Sequence, residues 1–429
     1  MSGHILENIP LMKIAFGFDI FYPETNGVIT TTINLANNLV DMGHEVYFFV
    51  PYDKKFMNDV IENNIHIIHV KALSTPIYKG IKVLPVQSWY LMKYFEQYKF
   101  DVIHCTSPWL ICQAMNHCAR RMHIPVLATH HTLIDNPIYI KYALKSEKLA
   151  NIAQKPIWPI VFEPFFRLVW MATAPNKETC QNIRTHIPDL DVRYVSNGID
   201  IERFRKTPSG APLKEIPSDF ITDKTFIYVG RLGYEKAIDI TIKGFAKAVK
   251  KDPELKLIII GRGPADDDLR ELVRHLEISD SNILFTGIID NHRLIDSGIL
   301  KQALAFVTAS LSENQAITVI EALCSGCPVI CADVFNMTTM VDENSGWYFE
   351  GGNTTDLAEK MLYVASHKAE RDEKSRHALT CIDKYDGKKI AKQFESLYLE
   401  LIDKKNNGFY VVDGEKKASR FEKSRFNKQ

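Results

Sequence analysis

The feature of this sequence that most restricts its fold is a rhythm that starts twice. In the first half, LMKIAFGF, HEVYFFVPY, IHIIHV, FDVIHCTS, PVLATHH, WMATAPN and VRYVSNG are short apolar runs rich in β-branched residues. Such unbroken apolarity is what a parallel strand covered on both faces by helices requires. Between the first two runs, Ile33, Leu35, Ala36, Leu39 and Val40 fall at helical spacing within 30–42, and Gly43 closes that helix. After Phe204 the stretch TPSGAPLKEIPSD has no periodicity. The rhythm then resumes with TFIYVGR, KLIIIGRG, NILFTG, ALAFVTAS and CPVICAD, and SGWYFEGG reads as an edge element. The expected class is α/β with two Rossmann-like domains, over 12–205 and 206–384. A helix with one apolar face follows at 385–404, and the basic stretch 405–429 reads as a solvated tail, with a membrane-surface helix as the alternative.

Size and charge agree with two ordinary globular domains. The chain has 429 residues, beyond the length at which single cores usually divide. Its 52 basic residues equal its 52 acidic ones, so no global field points to nucleic acid. No apolar run reaches the roughly 18–20 residues that span a bilayer, and the opening MSGHILENIP lacks a cationic region followed by an apolar core. A cytoplasmic protein is the expectation. Eight irregularly spaced cysteines suit reduced thiols. Cys324 and Cys327 have no second Cys or His pair nearby to complete a zinc site, so packing is the expected role.

Chemistry in parallel sheets gathers in the turns beyond the carboxyl ends of strands. VGRLGYEK places Arg231 directly after a strand and Lys236 at the entrance to the next helix. Two cations at a helix start can hold a diphosphate and stabilise the charge that develops on it as it leaves. In SLSENQAITVIEAL, Glu313 lies in a turn and Glu321 eight residues on, near the same face at another depth. The backbone N–H groups of Asn314, Gln315 and Ala316 are expected at that helix start, facing a phosphate or sugar, with Glu321 accepting from ribose hydroxyls. Gly261 and Gly263 lack the third glycine of a dinucleotide fingerprint but permit close backbone approach of a nucleoside. In the first half, Asn26 and Gly27 precede a helix and suit a phosphate or an acceptor head group, and Asp19 shares their turn. His131 ends a strand. Asp189 with Asp191 and Asp266 with Asp268 form Asp-x-Asp patterns but read as solvated caps, not metal clamps.

These segments, with PETNGVITT, LVDMGHEV, DVIHCTSP, ATHHT, VSNGIDIERF and SENQAITVIEALCSG in order from about Lys13 to about Lys404, resemble the retaining glycosyltransferases of family 4. The resemblance implies the GT-B fold: two Rossmann-like domains facing each other across a cleft, closed by the C-terminal helix, with no metal or other cofactor. It implies that Arg231 and Lys236 bind the donor diphosphate, Glu321 the ribose and Glu313 the donor sugar. Glu313 and His131 are then the expected catalytic residues, Gly27 contributes to the donor, and Asp19 and Asn26 contact the acceptor. The sequence departs from the family pattern at Ala316 and Ala237, where glycine is common.

A UDP- or GDP-sugar is the implied donor. For the acceptor, TNGVITT and HHT resemble members that glycosylate diacylglycerol or related lipids. IYIKYALKSEKL and KPIWPIVFEPFFRLVWMA interleave Lys141, Lys145, Lys148, Lys155 and Arg167 with aromatics, as a peripheral membrane contact on the inner face would. Burial of Trp158, Phe162, Phe165 and Trp170 in the domain core is the competing reading. A soluble or polysaccharide-linked acceptor and a non-catalytic nucleotide-sugar-binding subunit stay open beside the lipid reading. A dinucleotide-dependent oxidoreductase is disfavoured for want of a complete glycine fingerprint.

Overall fold

The computed structural model describes residues 10–22, 26–71, 88–131, 155–311, 313–380, 382–412 and 415–417. The chain forms two compact units. The first draws on Met1–Thr132, Lys155–Gly198 and Gly387–Gln429, and the second contains Ile199–Asp386. The change of unit therefore falls at Ile199, and the segment to Arg205, assigned on composition to the first domain, packs in the second through Ile199 and Ile201.

The first unit carries an eight-stranded sheet in the order β3-β4-β2-β1-β5-β6-β7-β8. Its strands are β1 Lys13–Gly17, β2 Glu45–Pro51, β3 Val60–Ile61, β4 Ile65–Val70, β5 Val102–Cys105, β6 Val126–Thr129, β7 Met171–Ala174 and β8 Asp191–Tyr194. All pairings are parallel except the short edge strand β3, which the apolar pattern does not announce. Helices α1 Gly27–Asp41, α2 Ser88–Tyr98, α3 Leu110–Arg121 and α4 Lys177–His186 connect the strands. Asn26 caps α1 by accepting from the Ile29 amide at 3.0 Å, and Ile29, Ile33, Ala36 and Leu39 form its buried stripe. Trp158, Phe162, Phe165 and Trp170 are all buried, so these four aromatics belong to the core and do not form a membrane-facing surface. The lysines at 141, 145 and 148 lie outside the described residues.

The terminal helix Gly387–Asn406 belongs to this unit and is fastened by apolar and polar contacts alike. Ile390, Phe394, Leu397, Tyr398 and Leu401 enter the core beside α1. Beneath them runs a buried polar chain: Tyr398 Oη to His104 Nδ1 at 2.7 Å, His104 Nε2 to Thr129 Oγ1 at 2.6 Å, and Thr129 Oγ1 to Thr173 Oγ1 at 2.7 Å. Burial, reinforced by the neighbouring His131, holds the His104 pKa well below its ordinary value. The ring is neutral, so one nitrogen donates and the other accepts. Nearby, His44 Nδ1 accepts from the Met12 amide at 3.3 Å, which leaves Nε2 to donate to Glu395 at 2.9 Å. Tyr398→Phe is expected to destabilise the fold by about 1–3 kcal/mol, because a buried His104 nitrogen loses its partner with almost no change in volume. A shift in denaturant midpoint of that size would be measured; an unchanged midpoint would mean that the chain contributes nothing to holding the helix. Beyond the helix, Tyr410–Val412 and Glu415–Lys417 pair as an antiparallel hairpin, so the stretch read as a solvated tail has regular structure at its start.

The second unit carries a six-stranded, fully parallel sheet in the order β11-β10-β9-β12-β13-β14. Its strands are β9 Thr225–Val229, β10 Lys256–Ile260, β11 Ile283–Gly287, β12 Phe306–Thr308, β13 Val329–Ala332 and β14 Gly346–Phe349. The principal helices are α5 Ile238–Val249, α6 Asp266–His275, α7 Asn291–Ser297, α8 Ile317–Cys324, α9 Phe335–Thr338, α10 Thr354–Ser366 and α11 Lys368–Thr380. Two apolar cores include alternate residues of single strands: Ile258 and Ile260 lie in one, Leu257 and Ile259 in the other. Cys324 and Cys327 are fully buried in the first of these cores, and burial pushes the Cys327 thiol up to about 12.

Candidate active site

In the six-stranded sheet β9 and β12 are neighbours, with β10 and β11 to one side and β13 and β14 to the other. Chain direction across the sheet reverses between them, and the crevice beyond their carboxyl ends is where open parallel sheets bind ligands. The loops leaving these two strands carry the expected donor residues. Lys236 ends the single 3-10 turn Tyr234–Lys236 and donates from Nζ to Glu313 Oε1 at 2.5 Å; the two side chains are 22% and 11% exposed.

Backbone geometry sets up this pair. Ala237 adopts the left-handed conformation, φ 48° and ψ 40°, which turns the chain from the 3-10 turn into α5. Alanine thus takes up a conformation that glycine would favour, at roughly 1–2 kcal/mol. On the opposite loop, Asn336 of α9 donates from Nδ2 to the Glu313 carbonyl at 2.6 Å. Arg231, two residues beyond β9, donates from Nη2 to Glu235 Oε1 at 2.5 Å.

Glu321 lies deeper, in the second turn of α8 and 6% exposed. Asn291, at the start of α7, donates from Nδ2 to Glu321 Oε1 at 3.0 Å. Burial raises the Glu321 pKa to about 7, against the opposing effects of the Asn291 hydrogen bond and the Arg203 charge. Asn314 and Ala316 are also buried, but α8 begins only at Ile317. Asn314, Gln315 and Ala316 therefore form the approach to the helix, and its first-turn amides belong to Ile317, Thr318 and Val319, a shift from the expected helix start.

Gly261 and Gly263 have a structural explanation independent of any nucleoside. A Cβ on Gly261 would lie 1.9 Å from the Gly230 carbonyl oxygen, and one on Gly263 would lie 2.4 Å from that of Leu232. The loops after β9 and β10 are laced together: Gly230 N to Ile260 O at 3.0 Å, Leu232 N to Arg262 O at 3.0 Å and Ala265 N to Leu232 O at 2.9 Å. These glycines let one loop brace the other and so hold the loop carrying Arg231.

The first unit has its own switch point between β1 and β5. Asp19 lies there, but it is buried: Oδ2 accepts from Ser107 Oγ at 2.5 Å and Oδ1 from the Ile111 amide at 2.7 Å. It ties the β1 loop to the start of α3. Asn26 spends its side-chain oxygen on capping α1, and Gly27 is the first residue of that helix. His131, two residues beyond β6, has its pKa lowered to about 3 by burial and by the neighbouring His130. The imidazole is therefore held in its neutral form near pH 7. Asp191 pairs with Arg193 and Lys404, Asp266 with Arg270, and Asp268 accepts from Tyr234.

The family model described as Glycosyltransferase Family 4 matches residues 25–203, and the one described as Glycosyl transferases group 1 matches 214–380. This chain belongs to glycosyltransferase family 4. The alpha-monoglucosyldiacylglycerol synthase of Streptococcus pneumoniae is 29% identical to this glycosyltransferase over 74% of this chain and 70% of the relative. The enzyme of the same name from Acholeplasma laidlawii is 26% identical over 92% and 98%. Among solved structures, Anabaena Alr3699/HepE in complex with UDP and glucose aligns with a TM-score of 0.69 at 16% identity, covering 91% of this chain and all of that one, which supports the GT-B fold. Among the described residues no helix of the glycosyltransferase is long and apolar enough to cross a membrane.

Three site residues of the glycosyltransferase escape sequence reading. Asn291 and Asn336 meet carboxylate-bearing residues 30 and 23 positions away, and nothing in their own segments marks that contact. Glu235 was within reach, because it stands four residues after Arg231 in a segment already singled out.

The raised pKa of Glu321 has a consequence for stability. A carboxyl whose folded pKa lies above its unfolded value binds protons more tightly in the native state. Its stabilising contribution is therefore complete below about pH 4.5 and is lost as pH rises to about 7. Glu321→Gln should remove that loss, making the variant more stable than the parent by roughly 3 kcal/mol at pH 8 and nearly equal to it at pH 4.5. Denaturant unfolding at both pH values checks this; a stability difference independent of pH would contradict it.

Proposed function

We propose that this protein is a retaining, metal-independent hexosyltransferase that moves a hexose from a UDP- or GDP-sugar to the hydroxyl of a diacylglycerol-type lipid or membrane glycolipid. The observation that carries the reading is the meeting of Lys236 and Glu313 at the switch point of the second sheet, with Arg231 on the loop that carries Lys236 and Glu321 in the helix that follows Glu313. Arg231 and Lys236 neutralise the diphosphate, and their charge-assisted bonds strengthen as the leaving group gains charge. Glu321 accepts from the ribose hydroxyls. Glu313 positions the hexose and stabilises positive charge at its ring.

The bond from the anomeric carbon to the diphosphate breaks while the acceptor oxygen bonds to the same carbon on the same face. The acceptor proton passes to the departing phosphate oxygen. No protein nucleophile takes part, in contrast to the two-carboxylate route of retaining hydrolases. A uridine donor is favoured by the neighbour solved with UDP and glucose, and the lipid acceptor by the two relatives named as monoglucosyldiacylglycerol synthases. The protein works at the inner face of the membrane, where such a lipid is presented.

The test is product analysis. UDP-glucose and diacylglycerol vesicles should yield a glucolipid whose anomeric proton, by NMR, has the configuration of the donor. An inverted anomer would exclude retention, and a sugar transferred only to water-soluble glycans would exclude the lipid acceptor.

A further inference from the structure

We infer that Glu235 is a positioning residue that holds the Arg231 guanidinium in the orientation a nucleoside diphosphate requires. The inference rests on the proposed donor site and adds to it a residue that contacts no substrate.

Glu235 is an unusual residue to find beside an anion site. Its carboxylate lies next to the cation that is to bind phosphate, and its side chain is only 9% exposed, against 38% for Arg231. A buried acid here offsets part of the positive charge, so its presence needs a geometric reason. The local packing provides one. Arg231 Nη2 donates to Glu235 Oε1 at 2.5 Å. The carboxylate is seated over Gly233, where an added Cβ would lie 2.2 Å from Oε1 and 2.4 Å from Oε2. Gly233 itself has φ −93° and ψ 150°, a conformation open to any residue, so the space for the Glu235 carboxylate is what calls for glycine there. The Glu235 carbonyl accepts from the fully buried Ser310 Oγ at 3.4 Å, and the Arg231 carbonyl accepts from the buried Tyr228 Oη at 3.3 Å. The backbone of Arg231 is thereby tied to Tyr228 of β9, and that of Glu235 to the loop after β12.

A guanidinium is a rigid fork of five N–H donors on a stem with many rotamers. Fixing one edge of the fork on a seated carboxylate orders the guanidinium before a ligand arrives, and the ligand then does not have to order the side chain. A carboxylate that merely screened Arg231 would act the other way: its removal would release a cation and tighten anion binding.

The experiment is calorimetric binding of UDP and of uridine to the full-length protein, with GDP and guanosine run in parallel. Glu235→Ala should weaken binding of the nucleoside diphosphate roughly 3- to 10-fold, while the matched nucleoside, which has no phosphate, binds as to the parent. Gly233→Ala keeps every functional side chain but crowds the carboxylate off its seat, and should give the same selective loss even if Glu235→Ala folds poorly. Arg231→Ala should weaken the diphosphate by at least as much, and adding Glu235→Ala to it should cost nothing further, because the effect passes through Arg231. Unchanged or tighter diphosphate binding in Glu235→Ala and Gly233→Ala, equal losses for the nucleoside, or a further loss in the Arg231→Ala background would each overturn the inference. Undiminished diphosphate binding by Arg231→Ala would instead remove the donor-site reading, and this inference with it.

Discussion

Lys236→Ala is expected to lower the rate of sugar transfer by roughly 10²- to 10³-fold, the usual loss when one preorganised group facing developing charge is removed. The reason is positional. Lys236 is the only residue of its 3-10 turn whose ammonium reaches Glu313, and the turn itself is fixed by the left-handed Ala237 and the buried Glu235. The fold should survive, because Lys236 lies in a loop turn outside the two apolar cores of the unit. Its loss does leave Glu313 without a partner in a mostly buried place, so a destabilisation of about 1–2 kcal/mol is expected alongside the kinetic defect. The two effects separate cleanly: steady-state turnover reports the first and the denaturant midpoint the second. Near-normal turnover in the folded variant would count against the assignment of Lys236 to the diphosphate.

Gly261→Ala should be the most damaging single-methyl change in the second unit. Gly261 has φ +142°, and its Cβ would sit 1.9 Å from the Gly230 carbonyl oxygen, a backbone atom that cannot rotate away. Strain and overpacking together should cost about 3–5 kcal/mol, a large part of the stability of an ordinary domain. Gly210→Ala is the natural control. Gly210 also has positive φ, at +69°, but nothing lies within 4 Å of the added methyl. That change should cost about 1–2 kcal/mol from conformation alone. Thermal and denaturant unfolding of the two variants compare them directly; equal losses would show that the clash between the β9 and β10 loops contributes nothing.

The strands were legible because parallel strands buried on both faces must be apolar throughout, and TFIYV and KLIII have no other comfortable home. Edge elements were harder. β3 is two residues long and has one covered neighbour, so it leaves no periodic trace. The candidate site was legible where a charged residue lies in a loop leaving a strand, as Arg231, Lys236 and Glu313 do. It was not legible where a residue's work depends on what lies across the fold. Asp19 follows a strand as a ligand-binding residue would, and the hydrogen bonds it accepts from Ser107 and Ile111 leave no mark in its own segment. Trp158 and Phe162 have the composition of a membrane-facing segment, but both are packed inside the unit. Gly261 and Gly263 suggest close approach of a nucleoside, but the neighbouring loop by itself already calls for glycine at both positions. In each case the structural partner is hidden from the sequence, because partners far apart in the chain are set by topology.

The most direct measurement is release of nucleoside diphosphate from a panel of UDP- and GDP-sugars, with and without diacylglycerol vesicles, in the presence of a metal chelator. Release that depends on the vesicles, persists under chelation and is lost in Lys236→Ala is the expected result. Absence of release from every donor, together with no binding of UDP or GDP by calorimetry, would contradict the assignment of the Arg231, Lys236 and Glu313 cluster to a nucleotide-sugar site.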